Sequence, residues 1–294
     1  MARIRNFPPL RFFVGFLPIT VWEVIFFLFP VILIFMVSFL YVKELRLVYE
    51  WTFRNYAKIF SMLPYWEAYL RSFRLSLTAV LFSAAIGYPL AYTIAFEISR
   101  RYQRLLMVAM IVPFWTNYLI RAYSWQIILA NSGLLNQFLQ ALHVIETPIR
   151  ILYTHNATEV GFIYFYMVLM TLLLYSSMES INRDLLEAAA DLGAGKFRTF
   201  IEIIFPLTYP GLIAGGVFVF ILSFGDFVGP SILGGGKNPV FSQLIVDEIQ
   251  GTVNLSMASA LAVIMVVTIV AILILLLRRV ETGALRKGGK PWRQ

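Results

Sequence analysis

Two carboxylates, Glu23 and Asp226, lie inside long apolar stretches of this 294-residue sequence. A carboxylate is costly in a hydrocarbon environment, so it usually faces a cavity or a partner group. One interpretation is a binding site for a cation on a pathway through the protein. The other, for Asp226, is a structural carboxylate that caps a helix beside Pro230 or accepts a hydrogen bond from a neighbouring helix. The sequence leaves both interpretations open.

A second candidate site follows Pro113, where aromatic and polar side chains alternate. Trp115, Asn117 and Tyr118 can hold an ammonium group by cation–π contacts and hydrogen bonds. The alternative is an aromatic belt at a membrane surface. Arg121 would repel a cation here, so we expect it to pair with a carboxylate or to reach toward the surface.

Two pairs of glycines are each four residues apart in one apolar run, Gly211 with Gly215 and Gly225 with Gly229. This spacing permits close packing of helices. Helix flexibility without a defined partner is the alternative, and we favour packing.

A polar segment between two apolar runs has the features of a helix–turn–helix. Asp184 can cap a helix, with Glu187 three residues later in capping-box register. Residues 188–190 are alanines, which favour helix and present little bulk to an approaching protein. Gly193 can adopt positive φ and end this helix, and we expect Pro206 to end the helix that follows. The alternative is an ordinary connecting loop.

Motifs for catalysis are missing from the sequence. Residues 193–196 resemble part of a phosphate-binding loop, but that motif's first glycine and its Ser or Thr are replaced. There is no H-E-x-x-H or G-x-S-x-G motif. The chain has no cysteine and only two histidines, too few for a thiolate or histidine-rich metal site. We therefore expect no enzyme activity, cofactor or metal site in this chain.

The composition is that of a membrane protein. Hydrophobic residues make up 60% of the chain and charged residues 14%, whereas soluble domains carry about 25% charged residues. The first apolar run is too long for a cleaved signal peptide. We predict an all-α integral membrane protein with one domain, residues 1–294. Six runs are long enough to span a bilayer, at residues 13–41, 75–96, 105–129, 160–177, 210–233 and 256–277.

The distribution of Lys and Arg predicts the orientation in the membrane, because basic residues concentrate on the cytoplasmic side. Both termini, the basic tail 278–294 and the polar segment 184–206 are expected inside. The loop 42–74 is expected outside, although it carries six basic residues. The net charge of +8 then follows from topology, and we expect no nucleic-acid binding.

The polar segment resembles the EAA loop of ABC importer permeases. In that pattern EAA is followed by a glycine four residues later and, after a spacer, by I-x-L-P. Phe205 stands where the family usually has leucine. The resemblance implies that the segment 184–206 contacts a separate ATPase. The coupling residues implied are Glu187, Ala188, Ala189, Asp191, Gly193, Ala194, Ile203 and Pro206.

Other segments are similar to spermidine/putrescine importer permeases in particular. The residues 112–117 with 119–123 look like the third-helix signature of that subfamily, and Gly225-Asp226-Phe227 resembles the GDF or GEF of related permeases. Further similar segments are 133–136, 147–151, 175–179 and 186–215.

Together these resemblances imply a type I, MetI-like permease in a bacterial inner membrane. Its implied partners are a second permease in a heterodimer, two ATPase subunits that bind ATP and Mg, and a periplasmic binding protein. The implied cargo is a polyamine, with an amino-acid-like solute, a quaternary amine or another small organic solute as the alternative. A passive channel would not need the EAA loop, and a membrane-bound sensor or scaffold would usually carry a soluble domain.

Overall fold

The computed structural model describes residues 9–44 and 46–288. Two short strands, β1 (Tyr41–Lys43) and β2 (Arg46–Val48), pair antiparallel; this hairpin was not predicted from the sequence. The rest of the regular structure is helical. The helices are, in chain order, α1 (Pro9–Glu23), α2 (Phe29–Ser38), α3 (Arg54–Ser61), α4 (Leu63–Tyr92), α5 (Arg100–Phe114), α6 (Tyr118–Leu129), α7 (Leu134–Ala141), α8 (His155–Glu179), α9 (Arg183–Asp191), α10 (Lys196–Thr199), α11 (Phe205–Gly225), α12 (Val228–Leu233), α13 (Phe241–Gln250) and α14 (Leu255–Gly288).

Five helical segments of the described chain are long and apolar enough to cross a membrane, and a bent pair of helices makes six if it is one span. The prediction of six spans is therefore confirmed with one of them broken. The five segments are Phe16–Ser38, Leu63–Glu97, His155–Glu179, Lys196–Gly225 and Leu255–Leu276.

The bounds of two predicted spans are wrong. The second begins at Leu63 rather than at residue 75, so part of the expected outer loop is helix. The fifth, predicted at residues 210–233, is the segment Lys196–Gly225. The first, fourth and sixth predicted spans agree with the structure to within five residues at each end.

The third predicted span, residues 105–129, is not one straight helix. α5 and the segment Tyr118–Ala141, which begins with α6, meet at an 85° bend. Pro113 lacks an N–H, and the Thr116 hydroxyl donates to its carbonyl at 2.6 Å, which helps to end α5. The side-chain oxygen of Asn117 then accepts from the backbone N–H of Leu119 at 2.8 Å and caps α6.

Two spans contain a π-helical segment directly before a Phe-Pro pair, at Val24–Leu28 and at Phe200–Ile204. In each, the phenylalanine donates its N–H to the carbonyl five residues earlier. The wider π turn changes the hydrogen-bond register just before a proline, where a donor is missing. Pro206 therefore does not end its helix, contrary to the prediction, and Pro30 likewise lies within the first span.

The described residues divide into two compact units. Residues up to Leu63 together with Ile245–Val266 form the first, and Pro64–Leu244 with the residues from Val267 onward form the second. The expectation of one domain over residues 1–294 stays a prediction.

In the first unit, Asn55 holds the end of α2. Its side-chain amide donates to the carbonyls of Ser38 at 2.9 Å and Leu40 at 2.6 Å. The Ser38 hydroxyl also contacts that of Tyr56 at 2.7 Å.

The first span has none of its most apolar stretch buried within the protein. A helix that is apolar all round needs lipid or another helix beside it.

In the second unit, α8 forms the centre of the core. Phe162, Phe165, Met170, Leu174 and Met178 along this helix are each at most 1% exposed. Such close-packed side chains leave little room for added volume.

α11 packs against α8 through its glycines. A side chain at Gly211 would collide with Ser177, and a Cβ at Gly215 would lie 2.6 Å from the sulfur of Met170. The packing interpretation of this glycine pair is confirmed. The Gly225–Gly229 pair does not form a helix face, because α11 ends at Gly225.

Candidate functional site

The helix–turn–helix predicted at residues 184–206 is present, but its first cap is not Asp184. Asn182 is the N-cap of α9, and its side-chain oxygen accepts from the backbone N–H of Asp184 at 3.1 Å. Asp184 instead lies in the first turn of the helix, where a negative charge is favourable. Both residue types are good caps, so the start was misplaced by two residues.

α9 ends in a Schellman motif, as the glycine predicted. The N–H of Gly193 donates to Ala190 at 2.9 Å, and the N–H of Ala194 donates to Ala189 at 2.9 Å. Gly193 has φ of +79°. This left-handed conformation suits glycine, and the two bonds satisfy carbonyls at the helix end. The chain then turns directly into α10.

The surface of this turn exposes apolar side chains. Leu192 is 89% exposed and Phe197 is 76% exposed. A shallow cavity of about 300 Å³ lies between α9 and the helix that follows, with Ala188, Ala189 and Ile203 among its lining residues. Two large exposed apolar groups beside such a cavity are typical of a protein–protein contact.

The other predicted coupling residues lie at this surface or beneath it. Glu187, Asp191 and Gly193 are exposed, whereas Ala194 and Pro206 are half-buried. The side chains that α9 presents outward therefore include two carboxylates. The assignment of these residues to ATPase coupling stays a prediction.

Asp226 lies between two helices and not within one, which corrects the predicted span 210–233 that contained it. It is the C-cap residue of α11. Its Oδ1 accepts from the backbone N–H groups of Val228 at 2.8 Å and Gly229 at 3.2 Å, at the start of α12. The carboxylate thus satisfies donors at the N-terminus of the short helix.

The second oxygen of Asp226 joins two further helices. Oδ2 accepts hydrogen bonds from the hydroxyl of Tyr118 on α6 and from that of Tyr166 on α8, the latter at 3.1 Å. Gly229 leaves room for this arrangement, since a Cβ there would lie 2.8 Å from the Tyr118 hydroxyl. The capping interpretation of Asp226 therefore describes its geometry. Tyr166 was not singled out in the sequence, where it is one of several residues with a hydroxyl group in a long apolar span.

These residues line a cavity of about 430 Å³. Its walls come from the last residue of α5, from α6, from α8 and from the end of α11. The lining residues are Phe114, Tyr118, Arg121, Phe165, Tyr166, Ile221, Leu222, Gly225 and Asp226.

Arg121 places a cation in this cavity. Its guanidinium carbon lies 5.4 Å from the ring centroids of Phe114 and Phe165 and 5.6 Å from that of Tyr118. Its Nε is buried without a hydrogen-bond partner among the described residues, and no carboxylate of residues 9–44 and 46–288 forms an ion pair with it. The expected carboxylate partner of Arg121 is thus not found in the described part of the chain.

The remaining predicted pathway residues are not brought into this cavity. Trp115 is 83% exposed at the bend between α5 and α6, and the side-chain oxygen of Asn117 is used by its helix cap. Glu23 is exposed on the first span. Of the five predicted pathway residues, the structure joins Tyr118 and Asp226, and the roles of all five stay predictions.

Comparison with known proteins places this geometry in a family. The chain is 42% identical over 225 residues to the spermidine/putrescine transport system permease protein PotB of Escherichia coli (strain K12), covering 76% of this chain and 81% of the relative. The PotB of Salmonella typhimurium (strain SL1344) is also 42% identical, with 76% and 78% covered. A crystal structure of a bacterial ABC transporter involved in the import of the acidic polysaccharide alginate superposes with a TM-score of 0.76 at 19% identity, covering 95% of this chain and 96% of that one.

At that identity the alginate transporter supports the fold alone. The family described as "Binding-protein-dependent transport system inner membrane component" matches residues 86–285, more than half of the chain. This chain belongs to that family and is a multi-pass permease subunit of the inner membrane.

Proposed function

We propose that this chain translocates polyamines such as spermidine and putrescine as one permease of an ATP-driven importer. The observation that carries the proposal is the 42% identity to PotB over three quarters of the chain. The exposed turn after α9 supports the ATP-driven part, because it exposes the apolar side chains of Leu192 and Phe197, which another protein can cover.

The proposed complex has a second, different permease, two ATPase subunits and a periplasmic binding protein. ATP and Mg bind to the ATPase subunits, so this chain itself carries out no hydrolysis. Both termini and the turn 184–206 lie in the cytoplasm in this proposal. The exposed apolar first span suits contact with lipid and with the second permease.

Coupling in this proposal begins at α9. Closure of the ATPases displaces α9, and the Schellman turn passes that displacement to the helix Lys196–Gly225. α11 interlocks with α8 through Gly211 and Gly215, so the two helices move as one body. Alternating access then results from rigid-body rotation of packed helices.

The cavity beside Asp226 is the proposed stretch of the cargo path. Desolvating an ammonium group without compensation is prohibitive, and the cavity offers a carboxylate, two tyrosine hydroxyls and aromatic faces. Arg121 opposes a cation there. That charge supports the second candidate, a permease for another small organic solute such as one that carries a carboxylate.

Uptake measurements in proteoliposomes that contain the whole transporter test the proposal. We expect ATP-dependent import of labelled spermidine. Unlabelled putrescine should compete with this import, and an unlabelled amino acid should not. Import of an anionic solute, with no import of spermidine, would contradict the polyamine assignment and favour the second candidate.

Two substitutions separate the roles of Asp226. Asp226→Asn keeps an oxygen for the cap of α12 but removes the charge, whereas Asp226→Ala removes both. We expect Asp226→Asn to assemble with the ATPases and to import polyamine more slowly, and Asp226→Ala to be unstable as well. Normal polyamine import by Asp226→Asn would leave Asp226 with a capping role alone.

A further inference from the structure

The backbone carbonyl of Ala95 receives two side-chain donors from different parts of the chain. Gln103 on α5 donates from Nε2 at 3.1 Å, and Arg183, the first residue of α9, donates from Nη2 at 3.4 Å. Ala95 lies in the π-helical segment Thr93–Glu97 that ends the second span. One oxygen atom therefore joins the end of a membrane span to the proposed coupling helix.

Gln103 extends this junction to two further points. The same Nε2 donates to the carbonyl of Ile98 at 2.8 Å, and Oε1 accepts from the hydroxyl of Tyr175 on α8 at 3.4 Å. Gln103 is only 6% exposed. The last carbonyls of a helix lack intrahelical donors, so a buried amide here fixes the end of the span to α8.

The contact from Arg183 is of a different kind. Arg183 is an exposed residue. Its long side chain reaches the carbonyl of Ala95 beside a cavity of about 360 Å³. Arg100, Gln103, Tyr175 and Glu179 are among the residues that line this cavity. Space beside a single long hydrogen bond allows α9 to shift while the buried bonds of Gln103 stay in place.

We propose that Gln103 and Arg183 are positioning residues that transmit the displacement of α9 to the end of the second span through the Ala95 carbonyl. Gln103 is the fixed side of the junction and Arg183 the side that follows α9. This inference rests on the proposed contact between α9 and an ATPase. It adds a second route of coupling, separate from the continuous helix after the turn.

The test uses the complete transporter in proteoliposomes and compares Gln103→Leu and Arg183→Met with the unchanged protein. The quantity measured is the ratio of ATP hydrolysis with the liganded binding protein to hydrolysis without it, together with ATP consumed per solute imported. We expect both variants to hydrolyse ATP while the stimulation falls several-fold and the ATP consumed per solute rises. Arg183→Lys, which keeps a donor, should recover part of the stimulation.

Arg101→Met is the matched control. Arg101 is an exposed arginine on α5, two residues before Gln103, and its replacement should leave both ratios unchanged. Because both donors act on one carbonyl, the double variant should be no worse than the more impaired single variant. Strictly additive losses would contradict a shared junction.

Equal losses of import and hydrolysis, with both ratios unchanged, would show a role in folding alone and overturn the inference. Failure of this inference can be distinguished from failure of the proposed function. If the unchanged transporter imports no polyamine, the cargo assignment fails, while stimulation by the liganded binding protein still reports on Gln103 and Arg183. If the ATPases do not bind the chain at all, the coupling surface itself fails.

Discussion

At the scale of single residues, Gly193 has a conformation that its sequence context predicted. Its φ of +79° is needed for the Schellman turn, and a Cβ added to this glycine would have no neighbouring atom within 4 Å. A β-branched residue here would meet strain in the backbone and not a steric clash. Strain of this kind costs about 1–3 kcal/mol.

We therefore expect Gly193→Val to insert into the membrane at normal levels and to lose most uptake, because the turn after α9 is distorted. Uptake of labelled substrate, normalised to the amount of membrane-inserted protein, is the measurement. Gly195→Val is the matched control, since Gly195 also has open space around it but has φ of −67°. Equal loss in both variants would point to added bulk at the surface and not to the turn.

The charge of Arg121 allows a second prediction at this scale. Arg121→Met keeps much of the apolar stem but removes a cation that lies in the same cavity as Asp226. If the cavity carries polyamine, loss of that repulsion should lower the KM for uptake several-fold while protein yield is unchanged. A raised KM or lost assembly would instead indicate that Arg121 pairs with a carboxylate of the second permease.

The two sites differ in how far the sequence could predict them. The turn at Gly193 depends on residues within six positions of one another, so local rules sufficed. The partners of Asp226 are 108 and 60 residues away in Tyr118 and Tyr166, and no local pattern connects them. The same holds for Gln103 and Tyr175, which are 72 residues apart.

At the scale of elements, the contact between α8 and α11 is set by glycines. Gly211→Val would place a side chain against Ser177, whereas a Cβ added at Gly216, on the same helix, would make only an ordinary contact with Val80 at 3.4 Å. Overpacking costs about 1–3 kcal/mol. We expect Gly211→Val to lower the Tm of the purified protein by several degrees.

Gly216→Val provides the comparison and should change the Tm much less. Thermal unfolding of both variants in the same detergent is the measurement. Equal shifts would mean that the loss of glycine itself, and not the contact with α8, sets the effect.

Hydropathy predicted where apolar helices lie but not how each is interrupted. The bend after α5 depends on the hydrogen bond that the Thr116 hydroxyl donates and on the one that the Asn117 side-chain oxygen accepts. A hydropathy average contains neither. Pro206 looked like a helix end because a proline normally costs a hydrogen bond. The π-helical turn before it changes the hydrogen-bond register, so the helix continues through the proline. Helix propensities taken from a single sequence do not include π turns.

At the scale of the whole molecule, the basic loop 42–74 was the main objection to the predicted orientation. The structure shortens that loop, because α4 begins at Leu63. Arg71 lies within α4 and donates to the carbonyl of Pro239 at 2.7 Å. A basic residue with such a tertiary contact carries less weight as a topology signal, so the objection weakens.

The orientation can be measured directly, because the chain has no cysteine of its own. Lys196 and Lys237 are both exposed, at the turn after α9 and in the loop after α12. The helix Lys196–Gly225 lies between them in the chain. Its 30 residues, at a rise of about 1.5 Å each, make it long enough to cross a bilayer.

We expect an impermeant thiol reagent to label Lys237→Cys, and not Lys196→Cys, in cells whose outer membrane has been made permeable. Lysis before labelling should make both sites reactive, which controls for access. Labelling of Lys196→Cys alone before lysis would show that the predicted topology is inverted. The turn after α9 would then lie outside the cytoplasm, where ATP is not available to the ATPases.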